Sequence, residues 1–338
     1  HRLFIFDVSL KTDPLLLFST DGLGDIRDVT LHQNMLFVAT STGIKMYRME
    51  LDSIIKVGEI DTLALGGTPN KLYVKGSKLW VVQTTARRVI SLDISDTRYE
   101  IDNIINVVDN TGRSIRPYDL AVGERVFLVA TGPSATVQAY TLTSNTESAL
   151  MGEAKLAYLI ANGDLSANGI QLVGQTLYVS AGEGDIQLFN VSNWLSGDFT
   201  QEPKLQYYYS VMGSATDMVV HPEAIYAGTV FALDNGKPVE NPVESSASQV
   251  SGGLNTIEND LFIVTDQFPQ AGGILASDRT LSVTLNRVVE KASINSTTFQ
   301  VTRSGEPVSG AIQYHISNGL SKLEFTPDFA LGDGSEYE

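Results

Sequence analysis

The sequence has 338 residues, of which 43% are hydrophobic, and this length allows one large repeat domain together with a smaller one. Its formal net charge of −16 at pH 7 disfavours nucleic acid and anionic membrane surfaces as partners, because no basic cluster along the sequence opposes it. The absence of cysteine excludes disulfides and thiolate metal sites, and no apolar run reaches the roughly 18 to 20 residues that a spanning helix needs.

The chain opens with two strand-like segments, residues 2–9 and 15–19, and then enters a thirteen-residue pattern at residues 28–40. The pattern returns five times without insertions. Its further copies begin at Lys71, Asp119, Gly169, Asp217 and Gly253. Each copy is typical of two short strands joined by a polar turn, and self-similarity of this kind indicates a repeat architecture.

The second strand of each copy is almost continuously apolar, which predicts strands buried on both faces. Alternating third strands are expected at 43–50, 88–95, 136–143 and 185–192, and looser fourth strands at 54–60, 101–108 and 205–211. Four strands per copy at this spacing predict the blades of a β-propeller.

The ends of the repeat region predict how the ring closes. Residues 2–19 supply a third and a fourth strand with nothing before them, whereas residues 253–265 supply a first and a second strand with nothing after them. Joining the two ends in one sheet makes six blades and removes the open sheet edges. We therefore predict an all-β chain whose six-bladed propeller is closed by terminal strands that share one blade.

The repeats resemble the LVIVD family of bacterial propeller repeats. The matching stretches are DVTLHQNMLFVAT with GIKMY, KLWVVQ with RVISLDIS, and TLYVSA with DIQLFNVS, while RLFIFDVS matches the last part alone. The fifth copy departs from the pattern, because AIYAGTVFALDN leaves no turn between its second and third strands. We expect that blade to be irregular or to carry an inserted loop at 236–250.

The period is lost after residue 266, where short alternating segments are separated by SG, NG and GDG turns, as in a small β-sandwich. This region resembles a bacterial Ig-like domain in LSVTLNRVV, SINSTTFQV, PVSG and LEFTP. The expected domains are thus a propeller at 1–267 and a truncated Ig-like domain at 268–338. The resemblances imply a piece of a larger bacterial surface or secreted protein, with its export signal and flanking domains elsewhere in the polypeptide.

One position of the repeat has functional potential. Asp28, Asp119 and Asp217 occupy the first position of alternate copies, and Asn70 and Asn168 stand one residue before it in two others. If the first strands line a central channel, these side chains form a polar ring at its mouth, able to hold water, Ca²⁺ or the hydroxyl groups of a ligand. In the alternative interpretation they bind neighbouring backbone and tie adjacent blades together.

The sequence contains no HExxH, GxSxG, P-loop or dinucleotide fingerprint. We therefore expect a non-catalytic binding, adhesion or scaffold module, outside the cell or on its surface, with a protein or carbohydrate ligand and no required cofactor. The alternative is a metal-dependent propeller hydrolase or lyase with its site at the channel mouth, since fold alone does not separate the two.

Overall fold

The computed structural model describes most of the chain. The described residues are 2–7, 15–50, 53–95, 98–142, 149–157, 164–221, 224–234, 237–238, 249–258, 264–269, 280–317, 320–331 and 337. The two α-helices within these ranges, α1 (Thr62–Leu65) and α2 (Ser192–Ser196), are a single turn each. No helix in this part of the chain is long and apolar enough to cross a membrane.

Four successive antiparallel meanders of four strands form the body of the molecule, and we call them the first to fourth blades. The first three are separate sheets, and the fourth is joined to the fifth repeat by a pair between Gly182 and Ala215. The first contains β3 (Ile26–His32), β4 (Met35–Thr40), β5 (Gly43–Met49) and β6 (Ile54–Asp61), and the second β7 (Lys71–Lys75), β8 (Lys78–Gln83), β9 (Arg88–Asp93) and β10 (Ile101–Asn106). The third contains β11 (Asp119–Val122), β12 (Val126–Ala130), β13 (Thr136–Thr141) and β14 (Leu150–Lys155), and the fourth β15 (Leu165–Val173), β16 (Thr176–Gly182), β17 (Ile186–Asn190) and β18 (Leu205–Tyr209). The predicted meander is confirmed for the first four copies, and β14 is a strand that the sequence pattern did not reveal.

The hydrophobic core lies between neighbouring blades rather than inside any one of them. Second-strand residues such as Phe37, Trp80, Phe127 and Tyr178 are almost fully buried, as predicted. Trp80 of the second blade packs with Phe127 of the third in one buried cluster, with ring centroids 5.5 Å apart. A sheet with two apolar faces must be covered on both sides, so each blade depends on its neighbours.

In each of three blades, one buried glutamine side chain hydrogen-bonds to the segment that connects this blade to the preceding one. Gln83 donates its amide to the carbonyl oxygen of Leu65 at 3.1 Å, Gln138 to that of Val108 at 3.0 Å, and Gln187 to that of Ala157 at 2.7 Å. Each of these carbonyls lies on the segment arriving from the preceding blade. Buried backbone acceptors need such partners, so these bonds fix the path of the chain from blade to blade.

The fifth repeat is irregular, as its sequence predicts. Strand β19 (Ser214–Val220) pairs with β20 (Ala224–Asp234), which runs for 11 residues without a turn. Strand β20 then pairs with β22 (Gln249–Glu258) along its length and with the two residues of β21 (Lys237–Pro238) at its end. Most of the predicted loop, 239–248, lies outside the described residues.

The predicted closure of the ring is not seen in the described residues. Strands β1 (Leu3–Asp7) and β2 (Leu15–Thr20) pair with each other, as expected, but they form a two-stranded sheet of their own. Among the described residues, β22 of the sixth repeat pairs with β20 of the fifth repeat, and the predicted hairpin partner of β22 is not seen. Residues 259–263, which include Leu261 and Phe262 of the predicted second strand, lie outside the described residues.

The C-terminal region contributes one four-stranded antiparallel sheet. Its order is β23 (Val264–Phe268), β24 (Leu281–Leu285), β28 (Leu320–Pro327) and β27 (Gly310–Ser317), and a short hairpin joins β25 (Thr302–Arg303) to β26 (Glu306–Pro307). Strand β23 runs across the predicted domain boundary at 267/268 and pairs with β24. The predicted sandwich stays a prediction, since its second sheet is not present among the described strands beyond that hairpin.

Candidate active site at the centre of the blades

The first strands of the blades begin at one end of the sheets, which we call the upper end. The predicted aspartates lie near these starts, and a β-bulge immediately precedes Asp28 in β3 and Asp217 in β19. A bulge re-aims the side chain that follows it. The first strands contact one another around a common centre, so their first positions converge there.

Lys71 occupies the middle of this convergence. Its ammonium group forms a hydrogen-bonded ion pair with Oδ2 of Asp217. Asp217 belongs to the fifth repeat and lies 146 residues after Lys71 in the chain. Asp28 and Asp119 act on the same ammonium group electrostatically. We call Asp28, Lys71, Asp119 and Asp217 the central cluster. The side chain of Lys71 is 25% exposed and that of Asp217 48%, so the cluster is open to solvent on one side.

Two aspartates of the cluster also join neighbouring blades. Oδ2 of Asp28 accepts a hydrogen bond from the backbone N–H of Leu72 at 2.7 Å, and Oδ2 of Asp119 accepts one from that of Ile170 at 2.9 Å. The tie between blades that the sequence suggested is therefore present. It coexists with the central cluster, because a carboxylate has further lone pairs to offer.

Burial and neighbouring charges shift the pKa values of Asp28, Lys71 and Asp119. Burial raises the pKa of Asp119 to about 7, and the nearby Lys71 only partly opposes this effect. Burial likewise raises the pKa of Asp28 above its ordinary value. Burial alone would lower the pKa of Lys71, but the three carboxylates outweigh it and raise that pKa, so the lysine is charged at neutral pH.

The other two predicted site residues, Asn70 and Asn168, form hydrogen bonds with backbone groups. Oδ1 of Asn70 accepts a hydrogen bond from the N–H of Thr84 at 3.0 Å. The amide of Asn168 donates to the carbonyl of Ala215 at 2.9 Å and accepts from the Ser166 hydroxyl at 2.6 Å. Both side chains hold strands in place, and neither makes a described contact with the central cluster.

Lys71 was not among the predicted site residues, although its position in the repeat is a usable signal. Lys71 stands at the first position of the second copy, in register with the three aspartates. Across the six copies, that position carries Asp28, Lys71, Asp119, Gly169, Asp217 and Gly253. One cation among three carboxylates at equivalent positions predicts an internal charge cluster once the first strands are placed around one axis.

The central cluster does not fit a divalent cation in its present arrangement. The Lys71 ammonium lies where a cation shared by the three carboxylates would bind, and it already pairs with Asp217. Calcium needs six to eight oxygen ligands, whereas one oxygen each of Asp28 and Asp119 is taken by backbone of the next blade. No group of three or more metal-ligating side chains occurs within the described ranges.

Gly169 makes room for the cluster, and its substitution by alanine tests this. A Cβ atom there would lie 2.8 Å from Oδ1 of Asp217 and 3.2 Å from its Cα. We expect Gly169→Ala to displace Asp217 from Lys71 and to lower the free energy of unfolding by roughly 1 to 3 kcal/mol, as overpacking does. Chemical denaturation measures the loss.

Gly228→Ala is the matched control for this substitution. Gly228 pairs directly with Asp217 across β19 and β20, but its added Cβ would make only ordinary contacts, at 3.5 Å with the Thr216 hydroxyl and at 3.8 Å with the Asp217 carbonyl oxygen. It should change stability by well under 1 kcal/mol. Equal losses of unfolding free energy for the two variants would show that Gly169 is not needed to make room for Asp217 in the central cluster.

The comparisons with known proteins concern the fold. No family model matches the chain, and no curated protein matches it. Among solved structures, a protein from Bacteroides uniformis assigned as a 6-phosphogluconolactonase aligns over 99% of this chain and 94% of its own, with 10% identity and a TM-score of 0.52. The periplasmic gluconolactonase of Pseudomonas aeruginosa aligns over 75% of this chain and 79% of its own, with 15% identity and a TM-score of 0.51.

These neighbours correct one expectation from the sequence. They place the chain with β-propellers in fold, which confirms the all-β propeller-like class. They carry the names of enzymes, and this conflicts with the prediction of a non-catalytic binding, adhesion or scaffold module, which was therefore wrong. That prediction rested on missing sequence motifs, and a site assembled from one residue per blade leaves no contiguous motif. This chain is a β-propeller-like protein similar in fold to gluconolactonases.

Proposed function

We propose that this chain is a hydrolase of lactones or related esters, with its reaction centre at the central cluster. The carrying observation is Asp119, a carboxyl group whose pKa is raised to about 7 beside the charged Lys71. A general base is most effective when its pKa lies near the working pH, because it is then substantially deprotonated and still basic enough to take a proton. The gluconolactonase names of the structural neighbours support the substrate class.

In the proposed reaction, the Asp119 carboxylate takes a proton from a water molecule as the water oxygen attacks the lactone carbonyl carbon. The carbonyl oxygen gains negative charge and faces the Lys71 ammonium, which stabilises it in a site partly shielded from bulk water. The ring C–O bond then breaks, and the leaving oxygen takes the proton held by Asp119. The product is a hydroxy acid, and Asp119 is returned to its starting state.

Acid release from glucono-δ-lactone and from a γ-lactone, followed at constant pH with the spontaneous rate subtracted, tests this function. We expect wild-type kcat/KM to rise with pH through an apparent pKa of about 7. Asp119→Asn should lose roughly 100-fold or more, the usual contribution of a general base. Asp21→Asn, which changes the same functional group on a side chain that is 77% exposed, should retain wild-type activity.

Two results would overturn the proposal. One is hydrolysis no faster than the blank for lactones and simple esters throughout the pH range. The other is an Asp119→Asn variant as active as wild type. If the variant does not fold, the wild-type pH profile still decides, because a rate independent of pH around 7 excludes Asp119 as the base.

We also propose the finer architecture and location that the sequence suggested, namely six blades followed by an Ig-like domain in an exported protein. The four blades, followed by a fifth repeat in which β19, β21 and β22 all pair with β20, support the first part, and the periplasmic neighbour supports the second. An experimental structure that includes residues 259–279 tests the blade number. Two further strands joining β1 and β2 in one sheet are expected, and a ring closed without them would contradict it.

A further inference from the structure

A cavity of about 400 Å³ opens at the upper end, between the second and third blades. Three arginines line it, Arg87, Arg113 and Arg116. No basic cluster is visible along this acidic sequence, because the three side chains come from two separate segments. The fold assembles the cluster, and none of its lining residues belongs to the central cluster.

The segments that carry the arginines are held in place by backbone contacts. Arg87 lies in the turn between β8 and β9, and its Nη1 donates to the carbonyl of Ser114 at 3.0 Å on the connection between the blades. That connection carries Arg113 and Arg116, and it folds back on itself through a bridge between Val108 and Ser114. The cavity wall is therefore a built structure and not a chance meeting of surface side chains.

The positive charge of the cavity is poorly neutralised. No carboxylate of the described residues lines it, and the ion pair of Arg113 with Asp109 is long, at 3.6 Å, on a side chain that is 79% exposed. An ion pair of this kind contributes little. Arg116 makes neither an ion pair nor a hydrogen bond within the described part of the chain. Three guanidinium groups around one opening repel each other unless an anion lies between them.

Hydroxyl groups complete the lining. Ser114, Tyr118 and Ser134 all face the cavity. Tyr118 is held against the backbone of Gly132, where an added Cβ would lie only 2.2 Å from the ring. Guanidinium groups bind oxyanions through paired N–H donors, and hydroxyl groups add further donors to the same oxygens.

We propose that this cavity binds the oxyanion group of a small molecule, a phosphate or a cluster of carboxylates. The inference goes beyond the proposed hydrolase, because it assigns a second site with no residue in common with the first. The two sites lie at the same end of the molecule, and Tyr118 directly precedes Asp119 in the chain. A ligand with an anionic group could therefore be held near the central cluster.

Calorimetric titration with inorganic phosphate, pyrophosphate and citrate tests the site. We expect one site per chain and an affinity that falls as salt is raised, because the attraction is electrostatic. Tighter binding of the two phosphates than of citrate would identify a phosphate site, and the reverse order a carboxylate site. Arg116→Gln should weaken binding of the preferred probe about tenfold or more, the cost of losing charged hydrogen bonds.

Two control variants separate this site from its surroundings. Arg98→Gln removes the same charge from a side chain that is 72% exposed, on the β9–β10 connection at the opposite end of the second blade, and should bind as wild type does. Asp119→Asn should also bind normally, so failure of the proposed hydrolase leaves this result unaffected. No binding of any of the three probes, or equal weakening by Arg116→Gln and Arg98→Gln, would overturn the proposal.

Discussion

Replacing Lys71 by methionine is expected to lower the free energy of unfolding at pH 7 by about 3 kcal/mol. Methionine fills a similar volume but leaves the carboxylates of Asp28, Asp119 and Asp217 without their shared cation. Breaking a buried ion pair at one partner costs about 3 to 5 kcal/mol, and the half-exposed Asp217 places this case at the lower end. Denaturant titration of the purified variant at pH 7 measures the loss.

The same loss should shrink on acidification. At pH 5 Asp119, whose pKa rises further without Lys71, is protonated in the variant and needs no cation. Lys75→Met is the control, because Lys75 is a first-strand lysine of similar exposure whose ammonium pairs with one carboxylate, that of Glu124 at 3.0 Å, and donates to the Val122 carbonyl at 3.1 Å. It should cost less than about 1 kcal/mol. A Lys71→Met variant as stable as this control would contradict a role for Lys71 at the centre.

The wild-type protein is expected to lose stability as the pH rises from about 4 to about 7. The folded-state pKa of Asp119 is raised from 3.8 to about 7, so in this window the folded state binds more protons than the unfolded state. The free energy of unfolding then falls with increasing pH, by at most ~4 kcal/mol for this group. Asp119→Asn cannot titrate, so its stability should be flatter across the window and exceed that of wild type at pH 8.

Unfolding titrations of both proteins at several pH values from 4 to 8 measure this difference. Asp109→Asn is an informative control, because hydrogen bonds from Thr111 and Arg113 lower the pKa of Asp109. A lowered pKa contributes stability above the ordinary pKa that is lost on acidification, the opposite sign to Asp119. If wild type and Asp119→Asn show parallel pH dependence, the raised pKa of Asp119 is wrong.

Most of the strand architecture was predictable because local patterns determine it. The apolar second strands, such as the one around Phe37, have no alternative to burial between two sheets. Ring closure was not predictable in the same way, because β22 could pair either within its own repeat or with β20. The pattern of apolar residues allows both pairings, and the uninterrupted length of β20 provides the longer partner.

The candidate site was predictable only in part. The first position of the repeat identified Asp28, Asp119 and Asp217, whose convergence depends on the placement of first strands around one axis. Their protonation could not be predicted, because the pKa of Asp119 depends on burial and on its distance from Lys71. The arginine cavity could not be predicted from the sequence, because its charged side chains come together only when two blades dock.

The pair between Lys71 and Asp217 joins the second and fifth repeats across 146 chain positions. The pair can form only after the intervening blades have docked in order. Closing so long a loop costs conformational entropy, which is lost before the ion pair can stabilise the fold. The ion pair therefore stabilises the complete arrangement of repeats and does not stabilise a partial stack of blades. In this way one ion pair makes the unfolding of separate repeats more cooperative than their local packing alone would.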